Sequence, residues 1–530
     1  MAAGGGIEKN HSSSKKLVLS LVAISFLSSY SYATTVSSAE TNTKNISGTN
    51  QTLTIENGGS VVIPSRGNAV NFQQGSSTST FLNQGTLQGA NTGNNYGVQV
   101  GTNTGGGATI QTFDNQGFIG NSNYGVVIWG KSNSKSTINN FSNSGTINAK
   151  ANGKEAIYTD NTKFDTFTNS GSIIGGSNAA SVQLSSNNQN GATIQTFTNE
   201  GIIGNGASKF GVVIWGKNNN KSTIDNFTNK GTISSNAGEA IYIKNTNIRT
   251  FDNSKTISSN NDKGINIGGG TTIETFNNSG TINSTGTIPS NAQGYRNGSV
   301  NIIGSEDSII SITTFNNSGT ISSENIHGVN LRYTTIDNFN NSGIIKTNGT
   351  QRRQSFAFAD SGFRMTYAHV KTFENTGTIS GFMGVSLNGS KIDQFTNKQT
   401  IMATQDNDSS FGIIIGSING GVGNGTSTIK TLENEGVITS MGQGIVISNK
   451  NKIETLINNG TIQANKNGIK FHNYNDTVGP TELGKITIGS KGIIKAGNDA
   501  IHIAGSKYDI VAQGIDVKSG GRLEGGNSGI

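Results

Sequence analysis

One short pattern recurs along almost the whole chain of 530 residues: a large apolar residue, with Asn two, Gly four and Ile six positions later. It is seen at Phe113–Ile119, Phe141–Ile147 and Phe167–Ile173. A short unit repeated this often is typical of a solenoid, in which each repeat packs on its neighbours. The first position of the seventeen copies falls at Ile55, Phe81, Phe113, Phe141, Phe167, Phe197, Phe227, Phe251, Phe276, Phe315, Phe339, Phe373, Phe395, Leu432, Leu456, Ile488 and Val517.

The residues between the copies predict three short strands in each repeat. One strand leads into the pattern, as in Thr109–Phe113, a second begins at its Ile, and a third follows, as in Tyr124–Ile128. These runs are rich in β-branched residues and are separated by Gly, Asn and Ser, which favour turns. The sequence therefore predicts an all-β fold, a right-handed parallel β-helix of about seventeen turns, each of roughly 29 residues.

The pattern also predicts what each conserved position does. Because stacked turns lie about 4.8 Å apart, the same residue in successive turns forms a ladder. We expect the Phe ladder to fill the interior and the Asn ladder to join its amides by hydrogen bonds. We also expect Asn to tolerate left-handed backbone and Gly to adopt the positive φ that other residues avoid.

Two units are close to duplicates of each other. Residues 107–158 and 191–242 both contain GATIQTF, GVVIWGK, KSTI and EAIY in that order. Such similarity indicates tandem copying of repeats. It favours a protein built as a long surface over one built around a single active site.

Composition excludes several classes of site. The chain has no Cys, which rules out disulfides, thiolate metal sites and cysteine catalysis. Its net charge of +7 is a weak field over this length, so we expect no nucleic-acid partner. The His residues show no metal-ligand spacing, and we expect no metal and no cofactor.

The first residues resemble an export signal. Lys9, Lys15 and Lys16 precede an apolar stretch at residues 17–27, which is too short to span a bilayer. Small residues then predict cleavage between Ala33 and Thr34. The predicted organisation is a signal peptide at 1–33, a linker or cap at 34–50 and β-helical repeats at 51–530.

A leader followed directly by Gly/Asn-rich F-x-N-x-G-x-I repeats resembles the passenger domains of type V autotransporters, most closely the adhesin passengers, and the leader is similar to those of CapA-type adhesion autotransporters. The resemblance implies export to the surface of a Gram-negative cell or secretion. It implies multivalent adhesion, with a host-cell surface protein or glycan, or another rod of the same kind, as the partner. The family also uses a C-terminal outer-membrane translocator barrel, which we do not recognise in residues 1–530.

Two alternatives to adhesion remain open at this stage. Parallel β-helices include polysaccharide-cleaving enzymes, which need paired carboxylates, and Glu155, Asp160 and Glu239 are the candidates. Glu155 and Glu239 are equivalent in the duplicated units, which suits a surface ladder better than a catalytic pair. The other alternative is a non-functional fragment of a longer autotransporter. A serine protease is not expected, because no G-x-S-x-G sequence occurs.

Two groups of residues are candidates for a binding surface. Trp129 and Trp215 are equivalent in the duplicated units, and exposed aromatic residues commonly stack on glycans or anchor interfaces. The alternative is that they cap the strand ends. The least repeat-like stretch combines aromatic residues with arginines, a mixture typical of interfaces, although an ordinary aromatic-rich turn fits it too. Its candidates are Arg352, Arg353, Phe363, Arg364 and Tyr367.

Overall fold

The computed structural model describes residues 32–131, 134–185, 190–286, 298–349, 360–406, 409–416, 425–448, 450–472, 481–503 and 511–530. In these residues the chain is all β and forms a parallel β-solenoid. Each turn contributes one strand to each of three sheets, called A, B and C in the order in which the chain enters them. Every strand pairs in parallel with the strand one turn further along the chain.

Sheet A carries the strands that contain the apolar residue and the Asn of the pattern. The described residues give it eighteen strands, one more than the seventeen copies of the pattern. Their bounds are Ala33–Val36, Gln51–Ile55, Ser77–Asn83, Thr109–Asn115, Ser136–Asn143, Thr162–Asn169, Thr193–Asn199, Ser222–Asn229, Thr246–Asn253, Thr272–Asn278, Ile310–Asn317, Thr334–Asn341, His369–Asn375, Lys391–Asn397, Thr428–Asn434, Lys452–Asn458, Glu482–Ile488 and Val511–Val517.

Sheet B begins just after the Gly of the pattern and contains its Ile. Its strands are short because the chain soon turns again towards sheet C. Their bounds are Ala39–Glu40, Ser60–Val62, Thr86–Gln88, Phe118–Ser122, Thr146–Ala149, Ser172–Ile174, Ile202–Ile203, Thr232–Ser235, Thr256–Ser259, Thr281–Ser284, Thr320–Ser323, Ile344–Thr347, Thr378–Gly381, Thr400–Ala403, Val437–Ser440, Thr461–Ala464, Ile493–Ala496 and Arg522–Gly525.

Sheet C completes each turn, and its strands contain both Trp129 and Trp215. The outward residues of these strands differ in type from turn to turn. Their bounds are Lys44–Ile46, Val70–Phe72, Tyr96–Val100, Tyr124–Trp129, Ile157–Asp160, Ala180–Leu184, Phe210–Trp215, Ile241–Lys244, Ile265–Gly268, Gly298–Ile303, His327–Arg332, Ser361–Thr366, Met383–Asn388, Phe411–Ile415, Gln443–Ser448, Ile469–His472 and Ile501–Ile503.

The interior is one continuous hydrophobic core made of the inward residues of all three sheets. The Phe ladder runs through it as predicted, and its rings are fully or almost fully buried. The rings of Phe197 and Phe227, for example, stack at 4.7 Å with an angle of 4°. The strand spacing imposes this near-parallel stacking, although an edge-to-face arrangement suits isolated aromatic pairs as well.

The predicted Asn ladder is also confirmed. The Nδ2 atom of each Asn donates to the Oδ1 atom of the Asn one turn later, as from Asn199 to Asn229 at 2.8 Å. Each Asn except Asn83 also donates to the carbonyl two residues ahead, as Asn199 does to Gly201, which ties the end of sheet A to the start of sheet B. Fourteen asparagines are joined in this way, at positions 83, 115, 143, 169, 199, 229, 253, 278, 317, 341, 375, 397, 434 and 458.

The prediction that these Asn and Gly residues adopt left-handed backbone is wrong. None of them has a positive φ; among the left-handed asparagines, Asn161 and Asn245 lie where sheet C ends, and Asn121 and Asn205 lie in or just after strands of sheet B. Gly of the pattern is needed because successive turns approach closely. A Cβ atom on Gly171 would lie 2.0 Å from the carbonyl oxygen of Gly145 in the previous turn.

At the N-terminal end the register differs from the predicted one. The sequence pattern places Ile55 at the Phe position, but Leu53 pairs with Phe81 and Ile55 pairs with Asn83. The chain before Ile55 already alternates apolar and polar residues, so a shift of two positions keeps the same faces inward. Residues 34–50, predicted as a linker or cap, contain strands that pair as a first turn of the solenoid.

The same shift of two occurs at the C-terminal end. Ile488 pairs with Asn458 and Val517 pairs with Ile488, so both lie at the Asn position of the ladder. Ile486 and Ile515 occupy the Phe position there. The first and last described turns therefore carry an aliphatic residue at the Asn position.

Candidate functional site on the outer face of sheet C

The outer face of sheet C carries three rows of side chains that run from turn to turn. At Gly125 a side chain would point inward, with its Cβ 2.8 Å from Ile147, so Tyr124 before it lies outside. Val127 and Trp129 also point outward, because Val126 and Ile128 between them belong to the core. We call these the first, second and third rows, after the positions of Tyr124, Val127 and Trp129.

An aromatic cluster occupies these rows in the first of the two duplicated units. The ring centroids of Tyr96 and Tyr124 are 5.4 Å apart, and those of Tyr124 and Tyr158 are 6.3 Å apart. Trp129 lies 5.0 Å from Tyr158. The four side chains are partly exposed, so they present one continuous aromatic surface that spans three turns.

Two carboxylates border this cluster. Glu155 lies beside Tyr124 in the first row, and Asp160 lies beside Trp129 in the third, where the two residues pair across the strands. Burial raises the pKa of Glu155, and it raises the pKa of Asp160 to about 7. Asp160 is only 2% exposed and its Oδ1 atom has no hydrogen-bond partner. Neither carboxylate forms an ion pair within the described residues.

The second duplicated unit has the same framework with different charges. Trp215 packs on Tyr242 as Trp129 packs on Tyr158, with ring centroids 5.7 Å apart instead of 5.0 Å, but Phe210 replaces Tyr124. The carboxylate of Glu239, the equivalent of Glu155, lies 3.2 Å from Lys263 Nζ.

Three further side chains, Asn266, Lys209 and Lys244, distinguish the surroundings of the second unit from those of the first. The Nδ2 atom of Asn266 donates to Glu239 at 2.8 Å. Two side chains of the next turn, Lys263 and Asn266, therefore bind this carboxylate. Lys209 Nζ lies 5.2 Å from the centre of the Phe210 ring. Lys244 replaces Asp160 in the third row beside Trp215. The second unit therefore supplies its own ammonium groups.

Both predicted tryptophans lie in the third row of this face. They are three turns apart, since the pairing runs from Trp129 to Asp160 and then through the turn of Ser185 to Trp215. Each is partly exposed and packs on a tyrosine of the next turn. The Nε1 atom of Trp215 is buried and without a hydrogen-bond partner.

The second group of predicted residues does not form one surface. Phe363 lies in the core, packed against Phe339 at 4.6 Å and Phe373 at 5.0 Å, so the prediction that it belongs to a binding surface is wrong. Its inward position follows from alternation, because it pairs with the core residue Val329. Arg352 and Arg353 lie outside the described residues.

Arg364 points away from the core in the second row but is only 3% exposed. Its guanidinium contacts the Nε2 atom of His327 at 2.9 Å, and burial, with Arg332 nearby, lowers the pKa of Arg364 to about 9. Ile414 and Val446, further along the same row, are buried in a second hydrophobic cluster. This part of the outer face is therefore covered, and Arg364 is not an exposed contact residue.

Tyr367 lies at the corner where sheet C ends, one turn after Tyr333. Both adopt a left-handed backbone, with φ of 50° and 46°, and their rings stack at 5.1 Å. Arg332 lies 5.2 Å from the ring of Tyr333. A left-handed conformation is costly for a residue of this size, so the packing of this corner holds the two rings in place.

The predicted signal cleavage site lies at the edge of the described chain. Ala33 and Thr34 belong to the first strand of sheet A and pair with Thr52 and Leu53. The rest of the predicted signal peptide, residues 1–31, lies outside the described residues. The residues that remain after cleavage at this position include nearly all of the first strand.

Sequence reasoning selected the tryptophans but not the cluster around them. It did not bring Tyr96, Tyr124 and Tyr158 together, and it treated Glu155 and Asp160 only as possible catalytic acids. An alignment of the third strands by the small residue before each core position, which is Gly97, Gly125 and Ala156, would have placed these residues in adjacent rows. The spacing between repeats is irregular, which hides this proximity.

The described residues contain no group of three or more His, Cys, Asp or Glu side chains placed to hold a metal ion. They also include no helix of the length and hydrophobicity that a membrane crossing requires. No family model, no curated protein and no solved structure matches the chain. The fold is thus a parallel β-solenoid, which is compatible with an autotransporter passenger. Because no comparison identifies a relative, the function must be inferred from the surface of the solenoid.

Proposed function

We propose that this chain is an exported attachment protein and that the outer face of sheet C makes the contacts. The observation that carries the proposal is the set of partly exposed aromatic residues in the second and third rows, which includes Trp129, Tyr158, Trp215 and Tyr242. Exposed aromatic rings contribute much of the energy at protein and glycan interfaces. Repetition along one side of a solenoid lets several weak contacts act together.

The sequence features support an autotransporter passenger of the adhesin type. The leader, the repeat and the solenoid agree with that class, and they favour display at the surface of a Gram-negative cell or secretion. The partner is then a surface protein or glycan of a host cell, or a second rod. This proposal does not require a catalytic residue, a cofactor or a nucleic acid.

The test compares two surfaces of the same rod. Purified wild-type chain and the double variant Trp129→Ala, Trp215→Ala are measured for binding to cultured epithelial cells and to an array of host glycans. We expect the double variant to bind at least about tenfold more weakly, because aromatic anchors dominate such interfaces. The matched control is Ile202→Ala, Ile344→Ala, which removes exposed apolar side chains from sheet B.

The control should bind within about twofold of the wild type, since surface substitutions away from an interface have small effects. Circular dichroism establishes that each variant keeps its β structure. Equal losses in both variants, or undiminished binding by the tryptophan variant, would overturn the assignment to sheet C. Shortening of the glycans during the assay would point instead to the polysaccharide-cleaving alternative, with Glu155 and Asp160 as the first residues to test.

A further inference from the structure

We propose that the aromatic cluster of the first duplicated unit binds a primary ammonium group supplied by a ligand, between Glu155 and the rings of Tyr124 and Tyr158. This inference rests on the proposed function, because it names the ligand chemistry of part of the same face. It concerns the first unit alone. The second unit serves as an internal reference for the geometry.

The second unit shows which chemical group fits beside this glutamate. Lys263 Nζ approaches Glu239 Oε1 at 3.2 Å, and both side chains are about nine-tenths buried. Lys263 comes from the next turn and lies in the same row as Glu239, since Ile241 and Ile265 pair two residues later. The framework of this unit therefore already holds an ammonium group on the outer face.

In the first unit the corresponding cation is missing. Ile157 pairs with Val182, so the same register places Ala180 opposite Glu155, where the second unit has Lys263. Lys154, next to Glu155 in the chain, acts on this carboxylate through its charge, but its side chain is exposed. Lys154 and Glu155 form no salt bridge, so the carboxylate remains available to an external cation.

The surroundings of Glu155 suit a cation better than any neutral group. Tyr124 lies close to its carboxylate and packs against Tyr158, and aromatic ring faces attract ammonium groups. The second unit illustrates this contact too, because Lys209 lies over Phe210, which is the equivalent of Tyr124. In the first unit Asn123 precedes Tyr124, so no lysine of the chain takes that place.

A second carboxylate extends the site along the aromatic surface. Asp160 lies two residues beyond Tyr158 and beside Trp129, and its buried Oδ1 atom has no partner. The second unit has Lys244 there. The first unit therefore has two carboxylates without an ion pair, whereas in the second Glu239 is paired with Lys263 and Lys244 takes the place of Asp160, and this difference fits a ligand with a cationic end. Such an end occurs on the lysine side chain of a protein and on a free alkylamine, and both share the primary ammonium group.

The chain offers a direct reporter, since Trp129 and Trp215 are its only two tryptophans. In a Trp215→Phe background, the fluorescence of Trp129 reports on the first unit alone. The probes are butylammonium chloride and the methylamide of N-acetyl-lysine, titrated at constant ionic strength. 1-Butanol serves as the uncharged probe. We expect both ammonium probes to saturate in the millimolar range, as befits very small ligands, and 1-butanol to give no saturable change.

Two substitutions test the role of the carboxylate. Glu155→Gln keeps the size of the side chain and removes its charge, so we expect binding about tenfold weaker or lost. Glu239→Gln is the matched control in the second unit and should leave the titration unchanged. Undiminished binding by the Glu155→Gln variant would overturn the proposal, as would saturation by 1-butanol equal to that by butylammonium.

A third substitution should create a site. In a Trp129→Phe background, Trp215 reports on the second unit, and the ammonium probes should give no saturable signal while Lys263 is present. Lys263→Ala removes the internal ammonium group, and we expect butylammonium to bind there with an affinity similar to that of the first unit. Failure to gain binding, with the β structure intact, would show that the glutamate and its aromatic neighbour do not suffice.

These titrations separate the inference from the proposed function. If the small ammonium probes fail to bind while cell attachment still depends on the tryptophans, the ligand chemistry is wrong and the attachment surface stands. If the probes bind but attachment is insensitive to the tryptophan variants, the ammonium site exists and the attachment surface lies elsewhere.

Discussion

The two duplicated units, residues 107–158 and 191–242, share an interior and differ on the outside. Val126, Ile128 and Ile157 in the first have fully buried counterparts of the same type at 212, 214 and 241 in the second. On the outer face of sheet C, by contrast, Asp160, two residues beyond the first unit, corresponds to Lys244, two residues beyond the second. The residues that stack in the core are therefore the same in both units, whereas outward residues differ between them.

This difference between the two units shows which positions can determine binding specificity in such a rod. An inward residue packs against residues of the same type in the preceding and the following turn. A substitution there therefore disturbs the packing of both neighbours. The outward position of Asp160 and Lys244 lies outside the core, and it holds a carboxylate in one case and an ammonium group in the other. The binding properties of a turn therefore depend on a few outward positions, and two turns with one framework can have opposite charge.

The largest effect is expected from a charge placed in the shared interior. Phe197→Asp and the equivalent Phe113→Asp should each destabilise the surrounding turns by about 4 kcal/mol or more, because a carboxylate would be buried without a partner. Limited proteolysis with mass spectrometry should show new cleavage in adjacent turns. The comparison predicts equal effects in the two units.

The control for this experiment is Thr198→Asp, an outward position of the same strand, which should change the cleavage pattern little. Unchanged proteolysis of the Phe197→Asp protein would contradict the inward assignment of the ladder. A large difference between the two Phe variants would mean that the interiors of the two units are not equivalent.

A smaller effect should depend on pH and appear only in the first unit. The pKa of Asp160 is about 7 in the folded chain and near its ordinary value of 3.8 when unfolded, so the folded state binds more protons between these values. Its contribution to stability therefore falls as the pH rises from about 4 to 7, by at most about 4 kcal/mol. Asp160→Asn should remove this decline.

Amide hydrogen exchange of the strand Ile157–Asp160, corrected for intrinsic rates, measures the decline at pH 4.5 and 7.5. The strand Ile241–Lys244 of the second unit, where Lys244 replaces the acid, is the internal control and should lack this slope. Protection of Ile157–Asp160 that is independent of pH, or a slope that persists in Asp160→Asn, would contradict the assignment to this carboxyl.

The smallest effect concerns the turn that follows each unit. Gly171 follows the first unit, whereas Lys255 takes the same position after the second. The hydrogen bond from Ser172 N to Gly145 O is 2.9 Å, and the equivalent bond from Thr256 N to Gly231 O is longer, at 3.2 Å. The lysine is therefore accommodated by a slight separation of the turns.

We expect Gly171→Ala to destabilise its turn by about 1–3 kcal/mol, because the added Cβ would meet the carbonyl of Gly145. Lys255→Gly should have the opposite sign and amount to less than about 1 kcal/mol. Thermal unfolding followed by circular dichroism measures both changes. Stabilisation by Gly171→Ala would show that glycine at this position serves backbone freedom rather than close approach.

Much of the fold could be predicted because the Phe and Asn of each repeat fix the register between successive strands. Where both Phe and Asn are present, as at Phe197 and Asn199, the inward face and the amide ladder follow directly. Where both are replaced, as around Ile55 and Ile488, alternation alone permits a shift of two residues, and the predicted register was wrong. The reason for Gly was also misjudged, since the close approach of its Cβ to another turn involves residues distant in the sequence.

The candidate site could be predicted only in part for the same physical reason. Trp129 stands out by its type, but its neighbours Tyr158 and Asp160 come from the next turn, across a spacer whose length differs from repeat to repeat. Phe363 and Arg364 illustrate the converse. They are adjacent in sequence and were predicted to share a surface, yet alternation directs one ring into the core and the guanidinium to the opposite side.

The amide ladder has a direction, and this bears on how such a chain can evolve in length. Every internal Asn receives one hydrogen bond and passes one on, whereas the first, Asn83, has an Oδ1 atom that nothing donates to. A repeat inserted between two Asn-bearing turns would find an acceptor on one side and a donor on the other. One appended beyond Ile55 or Ile488 would meet an aliphatic residue instead. Gains and losses of whole repeats should therefore be found within the run of Asn-bearing turns between Asn83 and Asn458.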